Sequence, residues 1–143
     1  MQNFTLHTPT KVLFGEGQIA NLRNEVPENA RILITYGGGS VKRTGVLDQV
    51  HAALKGLHVF EFGGIEPNPS YETLMKCVEV VHNEKIDFLL AVGGGSVIDG
   101  TKFIAAAANY VGEPWDILET YGSKITSAIP LAAVLTLPAT GSE

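Results

Sequence analysis

The chain has 143 residues, of which 45% are hydrophobic and 17% charged, a composition typical of one globular domain rather than of a disordered segment. The net charge of −5 argues against a nucleic-acid-binding protein, and the single cysteine excludes an intramolecular disulfide and a cysteine-rich metal site. No apolar stretch approaches the ~20 residues that cross a bilayer. Residues 1–7 lack the basic and apolar segments of a signal peptide, so we expect a cytoplasmic protein.

Apolar runs and stretches of helical periodicity alternate along the chain. In chain order, the pattern predicts an edge strand over 4–14, a helix over 18–26, a strand over 31–36, a helix over 41–54, a strand over 58–62, a helix over 70–83, a strand over 87–92, a helix over 97–109 and a strand over 134–137. Two prolines predict a loop over 65–69, and Ser70 is the predicted cap of the next helix.

The alternation of strands and helices also predicts the fold class. The strand over 87–92 has no polar alternation, so both of its faces are predicted to be buried. Continuous apolar strands separated by helices predict a doubly wound α/β fold with a mostly parallel sheet. We therefore interpret residues 1–143 as one domain, with its ligand-binding residues at the carboxyl ends of the strands.

Two glycine-rich segments repeat one pattern at an offset of 56 residues. Residues 31–41 and 87–97 are identical at six of eleven positions, and each comprises a strand, the sequence Gly-Gly-Gly-Ser and the start of a helix. This similarity is consistent with a duplicated strand–helix unit and equally with one physical solution reached twice.

The glycines and serines of these two turns are candidate ligand-binding residues. They are Gly37, Gly38, Gly39, Ser40, Gly93, Gly94, Gly95 and Ser96. Such turns bring backbone N–H groups close to a ligand, and the helix N-terminus adds unsatisfied donors and a partial positive charge. The pattern favours a phosphate, and two such turns favour a dinucleotide. A tight turn with a serine cap and no ligand is the alternative, and the Gly-x-Gly-x-x-Gly fingerprint is absent.

Charged residues near the turns bear on the choice of cofactor. Asp99 lies three residues after Ser96, where it is expected to complete a capping box, to accept hydrogen bonds from a ribose or carboxamide, or both. Residues 37–40 contain no acidic residue that could hold a ribose 2′-hydroxyl, whereas Lys42 and Arg43 follow directly. This pattern predicts NADP(H) rather than NAD(H). The alternative is that both cations are solvated helix residues.

Five segments together resemble the iron-containing (group III) alcohol dehydrogenases, whose fold is of the dehydroquinate synthase type. In chain order their sequences are Phe-Gly-Glu-Gly (14–17), Gly-Gly-Gly-Ser-Val-Lys (37–42), Gly-Ile-Glu-Pro-Asn-Pro (64–69), Gly-Gly-Gly-Ser-Val-Ile-Asp (93–99) and Leu-Thr-Leu-Pro-Ala-Thr-Gly-Ser-Glu (135–143). The sequence is most similar to the branch of NADPH-dependent aldehyde reductases and butanol dehydrogenases.

The resemblance implies roles for individual residues. Residues 93–96 would hold the pyrophosphate, and Asp99 would face the cofactor. The adenosine ribose and its 2′-phosphate would lie among Gly37, Gly38 and Ser40.

For the rest of the cofactor, the resemblance places Asn68 on the adenine side and Thr136, Leu137 and Thr140 near the ribose and nicotinamide. The family reaction is reversible hydride transfer between NAD(P)H and a small aldehyde or alcohol, with iron or zinc polarising the carbonyl oxygen. Family members pair through the N-terminal strand, which implies a homodimer.

The resemblance further implies that this chain is a fragment. Family members are far longer, and a helical second domain supplies their metal ligands, one Asp and several His. No pair of the four histidines here has i,i+3 or i,i+4 spacing. We therefore expect an NADP(H)-binding domain that is inactive alone, with neither metal ligands nor catalytic residues. A stand-alone nucleotide-binding module and a relative of glycerol dehydrogenase or dehydroquinate synthase are the alternatives.

Two further residues have structural interpretations. Cys77 is expected to be a small buried hydrophobe rather than a nucleophile, because no histidine partner is evident. Trp115 follows a proline and is expected to pack at the start of a short helix.

Overall fold

Four parallel strands form the centre of the computed structural model, which describes residues 3, 5, 7–139 and 141–143. In chain order the strands are β1 (Arg31–Tyr36), β2 (His58–Phe62), β3 (Phe88–Gly93) and β4 (Leu131–Leu135). Their order in the sheet is β2-β1-β3-β4, so β1 and β3 are the inner strands. Every pairing is parallel, which confirms the predicted α/β class and sheet type.

Helices connect the strands, as parallel pairing requires. The helical elements of the described residues are a 3-10 turn (Gln18–Asn21), α1 (Leu22–Glu25), α2 (Ser40–Arg43), α3 (Val46–Ala53), α4 (Tyr71–Asn83), α5 (Gly95–Asn109) and α6 (Trp115–Glu119). Ser70 Oγ accepts a hydrogen bond from the backbone N–H of Thr73 at 3.2 Å, which confirms the predicted cap of α4. Helix α6 begins at Trp115, as predicted.

The sheet is buried on both faces. On one face, Leu33 and Ile98 lie in a core formed with α4 and α5. On the other, Ile34 and Leu90 pack with α3 and the N-terminal turn. All six residues of β3 are buried, as its continuous apolar sequence predicts. Cys77 is fully buried in the first core, and burial raises the pKa of its thiol to about 12, as expected of a structural cysteine.

One buried polar contact joins β1 to α5. Thr35 Oγ1 and Thr101 Oγ1 lie 2.7 Å apart, and both residues are fully buried. The Thr101 hydroxyl donates its only proton to the carbonyl oxygen of Val97 at 2.7 Å. The Thr35 hydroxyl must therefore donate to Thr101 Oγ1. The strand that precedes the first glycine turn is thus tied to the helix that follows the second.

Two of the predicted helices are not continuous in the structure. The predicted helix over 18–26 is a 3-10 turn followed by a single α-turn. The predicted helix over 41–54 is divided into α2 and α3 at Gly45, whose φ of 80° is left-handed and cannot continue a right-handed helix. The apolar spacing continues across both interruptions because the two elements that replace each predicted helix pack their apolar residues against the same core.

The last strand is displaced from its predicted position. It spans Leu131–Leu135 rather than 134–137. Ala132 and Ala133 have weak strand propensity, but they pair with Leu90 and Ala91 of β3, and this pairing decides the register.

The predicted edge strand over 4–14 is wrong where the structure describes it. Residues 7–14 have no regular secondary structure and are exposed. Val12 is 75% exposed and Phe14 is 95% exposed. An apolar run gains neither ladder hydrogen bonds nor burial unless a neighbouring strand is present.

Candidate functional site

The carboxyl ends of the four strands meet at one edge of the sheet, and each is followed by a glycine or a threonine. Gly37 follows β1, Gly63 follows β2, Gly94 follows β3 and Thr136 follows β4. Backbone hydrogen bonds join these segments: Gly64 N–H donates to Gly37 O, and Thr136 N–H donates to Gly93 O, both at 3.0 Å. This edge is where ligands bind in open parallel sheets.

The turn between β3 and α5 consists of Gly94 alone, because β3 ends at Gly93 and α5 begins at Gly95. A Cβ atom at Gly94 would have no atom within 4 Å, whereas one at Gly93 would lie 2.9 Å from Val97 Cγ2. Open space therefore lies in front of Gly94 at the N-terminus of a 15-residue helix. Unsatisfied N–H groups and the helix dipole favour an anion in that position.

The two glycine turns differ in structure. In the first, residues 37–39 separate β1 from α2, and Gly39 has a left-handed φ of 112°. In the second, the third glycine already lies within the helix. Helix α5 thus begins two residues before the predicted position, and the two turns supply two different cradles rather than two copies of one.

The predicted capping box is wrong. The N-cap of α5 is Gly94, with no side-chain capping hydrogen bond, so Ser96 already lies in the first turn of the helix. Asp99 lies one turn further and is exposed. Only its alternative role as a ligand carboxylate stays open.

The loop after β2 approaches the second turn. The backbone N–H of Asn68 donates to Ser96 Oγ at 3.4 Å, and Asn68 has a left-handed φ of 51°. The loop is tied to β1 by a hydrogen bond from Ile65 N–H to Tyr36 O at 3.1 Å. Ile65 is 2% exposed and anchors the loop in the core.

A carboxylate fixes the end of this loop. Glu66 accepts hydrogen bonds from Ser70 N–H at 2.7 Å and from the Thr73 hydroxyl at 3.1 Å. The hydrogen bond from the Ser70 backbone is the largest of the contributions that lower the pKa of Glu66 to about 2. Glu66 is therefore ionised at neutral pH and holds the loop to the start of α4.

An open cleft of about 500 Å³ lies at the first turn. Its lining consists of Tyr36, Gly37, Gly38, Gly39, Lys42, Gly63 and Gly64. Lys42 Nζ lies 5.1 Å from the centre of the Tyr36 ring. The proximity of the Tyr36 hydroxyl raises the pKa of Lys42 above its usual value, so the cleft contains a permanent positive charge at neutral pH.

The segment after β4 contributes less. Thr136 is held beside the second turn through its bond to Gly93, whereas Leu137 is 68% exposed. Thr140, which the resemblance assigns to the nicotinamide side, lies outside the described residues. Lys102 Nζ on α5 donates to Ser142 O and brings the end of the chain back to this helix.

The structure thus brings most of the predicted site residues to one edge, where several of them are exposed, among them Lys42, Asn68, Asp99, Thr136 and Leu137. Sequence reasoning missed Tyr36 and Gly63 as parts of the cleft. The position of Tyr36 at the last residue of a predicted strand was the available signal. For Gly63, the signal was a glycine directly after the next strand.

The described residues do not fit a metal ion, because no group of three or more His, Cys, Asp or Glu side chains lies together among them. His51 Nε2 instead lies 3.0 Å from Glu61 Oε1, and His82 Nε2 lies 2.8 Å from Ala108 O. In this part of the chain, no helix combines the length and apolar character of a membrane span.

A model of the iron-containing alcohol dehydrogenase family matches residues 9–143. The chain belongs to this family. It is 70% identical to NADPH-dependent aldehyde reductase YqhD of Escherichia coli over 145 residues, a match that covers 100% of this chain and 38% of that protein. It is 51% identical to probable NADH-dependent butanol dehydrogenase 2 of Bacillus subtilis, covering 100% of this chain and 37% of the relative. These findings confirm the resemblance and the oxidoreductase class of the relatives.

Solved structures of iron-containing alcohol dehydrogenases share this fold. The crystal structure of Escherichia coli YqhD superposes with a TM-score of 0.95 at 70% identity, over 97% of this chain and 36% of that one. Butanol dehydrogenase A of Thermotoga maritima superposes with a TM-score of 0.92 at 43% identity, over 99% of this chain and 36% of that one. The chain therefore spans less than two-fifths of the length of these relatives.

Proposed function

We propose that residues 1–143 are the NADP(H)-binding domain of a metal-dependent alcohol dehydrogenase or aldehyde reductase. The observation that carries the proposal is the open Gly94 turn at the N-terminus of α5, beside a second glycine cleft that contains Lys42. The Gly94 turn offers backbone donors to a pyrophosphate, and the Lys42 cleft offers a cation to a further phosphate. Two anion-binding positions at the ends of neighbouring strands match a dinucleotide that carries an additional 2′-phosphate.

In this proposal the binding residues divide into three groups. The pyrophosphate is held by Gly93, Gly94, Gly95 and Ser96. The adenosine ribose and its phosphate are held by Gly37, Gly38, Gly39, Ser40 and Lys42. The remaining length of the cofactor is lined by Asn68, Asp99, Thr136, Leu137 and Thr140. When bound, the cofactor supplies or accepts the hydride. The residues of this chain bind and orient the cofactor, and none of them is proposed to be catalytic.

The preference for NADP(H) over NAD(H) is supported by charge. Lys42 lines the first cleft, and residues 37–40 contain no carboxylate that would repel a phosphate. The names of the relatives include both cofactors: YqhD is NADPH-dependent, whereas the Bacillus subtilis relative is described as probably NADH-dependent. The greater similarity to the NADPH-dependent protein favours NADP(H).

The substrate, metal and assembly are proposed from the relatives. The names of aldehyde reductase and butanol dehydrogenase support a small aldehyde or alcohol as substrate. We propose that iron or zinc is bound by residues outside these 143, because the described residues contain no fitting ligand group and the relatives are far longer. We further propose a cytoplasmic homodimer, and a chain that is inactive alone.

Isothermal titration calorimetry of the chain with NADPH and with NADH tests the cofactor proposal. We expect both to bind and NADPH to bind about tenfold tighter, because its 2′-phosphate adds one charge-assisted hydrogen bond to Lys42. Tighter binding of NADH would overturn the preference, and binding of neither cofactor would overturn the proposed function.

A further inference from the structure

We propose that Tyr36 is a positioning residue for cofactor selectivity: its ring fixes the Lys42 ammonium where it meets a 2′-phosphate, and Gly63 is required for the ring to occupy that position. This inference rests on the proposed function and deepens it. It assigns the discrimination between phosphorylated and unphosphorylated dinucleotides to the wall of the cleft as well as to the glycine turn.

The first step is that Lys42 needs a partner to be ordered. Lys42 is exposed and lies on α2, a helix of one turn. A free lysine side chain occupies many rotamers, and ordering it on binding costs conformational entropy. The Tyr36 ring, whose centre lies 5.1 Å from Nζ, attracts the ammonium through a cation–π contact and reduces that cost before the ligand arrives.

The second step is that the Tyr36 ring is itself fixed. Tyr36 is 8% exposed although it is the last residue of β1. Its carbonyl oxygen accepts a hydrogen bond from Ile65 N–H, so the backbone beneath the ring is held to the loop after β2. The ring therefore forms a rigid surface at the mouth of the cleft.

The third step is the closeness of Gly63 to that ring. A Cβ atom at Gly63 would lie 2.5 Å from Tyr36 Cε2, 2.6 Å from Cζ and 2.8 Å from the hydroxyl oxygen. Gly63 does not have a left-handed φ, unlike the neighbouring Gly64. Glycine is thus required at position 63 for space rather than for backbone conformation, and the space is occupied by the tyrosine ring.

The fourth step concerns the charges around Lys42. Tyr36 on β1 and Glu61 on β2 are the groups that favour its protonated form, and Arg43 is its neighbour on α2. Glu61 Oε1 also lies within hydrogen-bond distance of His51 Nε2, at 3.0 Å, and among the described residues no ion pair joins Glu61 to Lys42. The Lys42 ammonium is therefore free to meet a phosphate in the cleft that it lines with the first glycine turn.

The test compares ligands that differ only in the 2′-phosphate. Calorimetry measures NADPH against NADH, and adenosine 2′,5′-bisphosphate against AMP, in the full chain and in Lys42→Met, Tyr36→Leu and Gly63→Ala. Lys55→Met, an exposed lysine at the opposite edge of the sheet, is the matched control. We expect Lys42→Met to weaken both phosphorylated ligands about tenfold or more, and NADH and AMP by less than about twofold.

Tyr36→Leu and Gly63→Ala are expected to lower the ratio of NADPH to NADH affinity by roughly threefold to tenfold, because Lys42 remains but is no longer ordered. A purely structural defect would weaken both cofactors equally and leave the ratio unchanged, and that result in either variant would overturn the inference. If one variant does not fold, the other decides. If the unaltered chain binds neither cofactor, the proposed function itself is overturned, and the role of Tyr36 with it.

Discussion

At the scale of single residues, the candidate site depends on positions where a side chain is missing. Gly94 leaves space that no protein atom fills, and Gly63 leaves space that the Tyr36 ring fills. The same residue type thus serves a ligand at one position and a neighbouring side chain at the other. Substitutions at the two positions should consequently differ in what they disturb.

Gly94→Val is expected to abolish measurable dinucleotide binding without unfolding the chain. The backbone at Gly94 (φ −92°, ψ −167°) is accessible to any residue, and the added side chain would meet no protein atom within 4 Å of its Cβ. We expect the free energy of unfolding to fall by about 1 kcal/mol or less, and the affinity for NADPH by at least about tenfold.

Denaturant unfolding and calorimetry check this prediction together. Ala52→Val is the matched control, since it adds the same kind of side chain to an exposed position of α3, whose C-terminal end lies at the opposite edge of the sheet. NADPH affinity that survives in folded Gly94→Val would contradict the placement of the pyrophosphate.

Glu66→Gln is expected to destabilise the chain at about pH 7 and progressively less at acid pH. The pKa of Glu66 is about 2 in the folded chain, against 4.5 for the unperturbed group. Because the folded pKa is depressed, the ionised carboxylate stabilises the fold fully above about pH 4.5, and that contribution is lost as the pH falls toward 2. Denaturant unfolding over this range measures the effect, with Glu79→Gln, an exposed glutamate on α4, as the control. If the free energy of unfolding differs between Glu66→Gln and the unaltered chain by the same amount at every pH, the ionised carboxylate is not the source of the stabilisation.

At the scale of secondary-structure elements, the two turns are held in register by the strand and helix that flank them. Thr35 on β1 donates to Thr101 on α5, and both lie beneath the carboxyl edge. Gly100 assists on the other side of α5, where a Cβ atom would lie 3.0 Å from Leu74 Cδ2 on α4. Close packing of α5 thus fixes where its N-terminus points.

Thr101→Val is expected to destabilise the chain more than Thr35→Val. Removing the Thr101 hydroxyl leaves the buried Thr35 donor without its acceptor, at a cost of about 1–3 kcal/mol. Removing the Thr35 hydroxyl leaves Thr101 still bonded to Val97 O, at a cost of about 1 kcal/mol. Denaturant unfolding of the single variants and the double variant forms a cycle. Equal effects of the two single substitutions would contradict the assigned donor direction.

At the scale of the whole molecule, parallel pairing is what assembles the site. The order β2-β1-β3-β4 places the turns after β1 and β3 side by side, although they are 56 residues apart in the chain. The loop after β2 reaches across to Ser96, and the segment after β4 joins Gly93 from the other side. Each strand therefore contributes to one edge of the sheet.

Much of this architecture could be predicted because its causes are local. The continuous apolar sequence of β3 predicts burial on both faces, Ser70 predicts the start of α4, and the glycine turns predict a phosphate site. The errors arose where one local signal is overridden, by a glycine in the backbone or by strand pairing. Gly45 interrupts a helix whose apolar spacing continues across it, and Ala132 joins a strand that its own propensity disfavours.

The sequence by itself determined the α/β class, the family resemblance and the glycine turns, because periodicity and short motifs are properties of neighbouring residues. Only the tertiary structure decided that the two turns differ in shape, that Gly94 faces open space, and that Tyr36 lies between Gly63 and Lys42. These facts depend on distances between segments that are far apart in the chain. Strand order and close packing fix such distances, and no local pattern of residues records them.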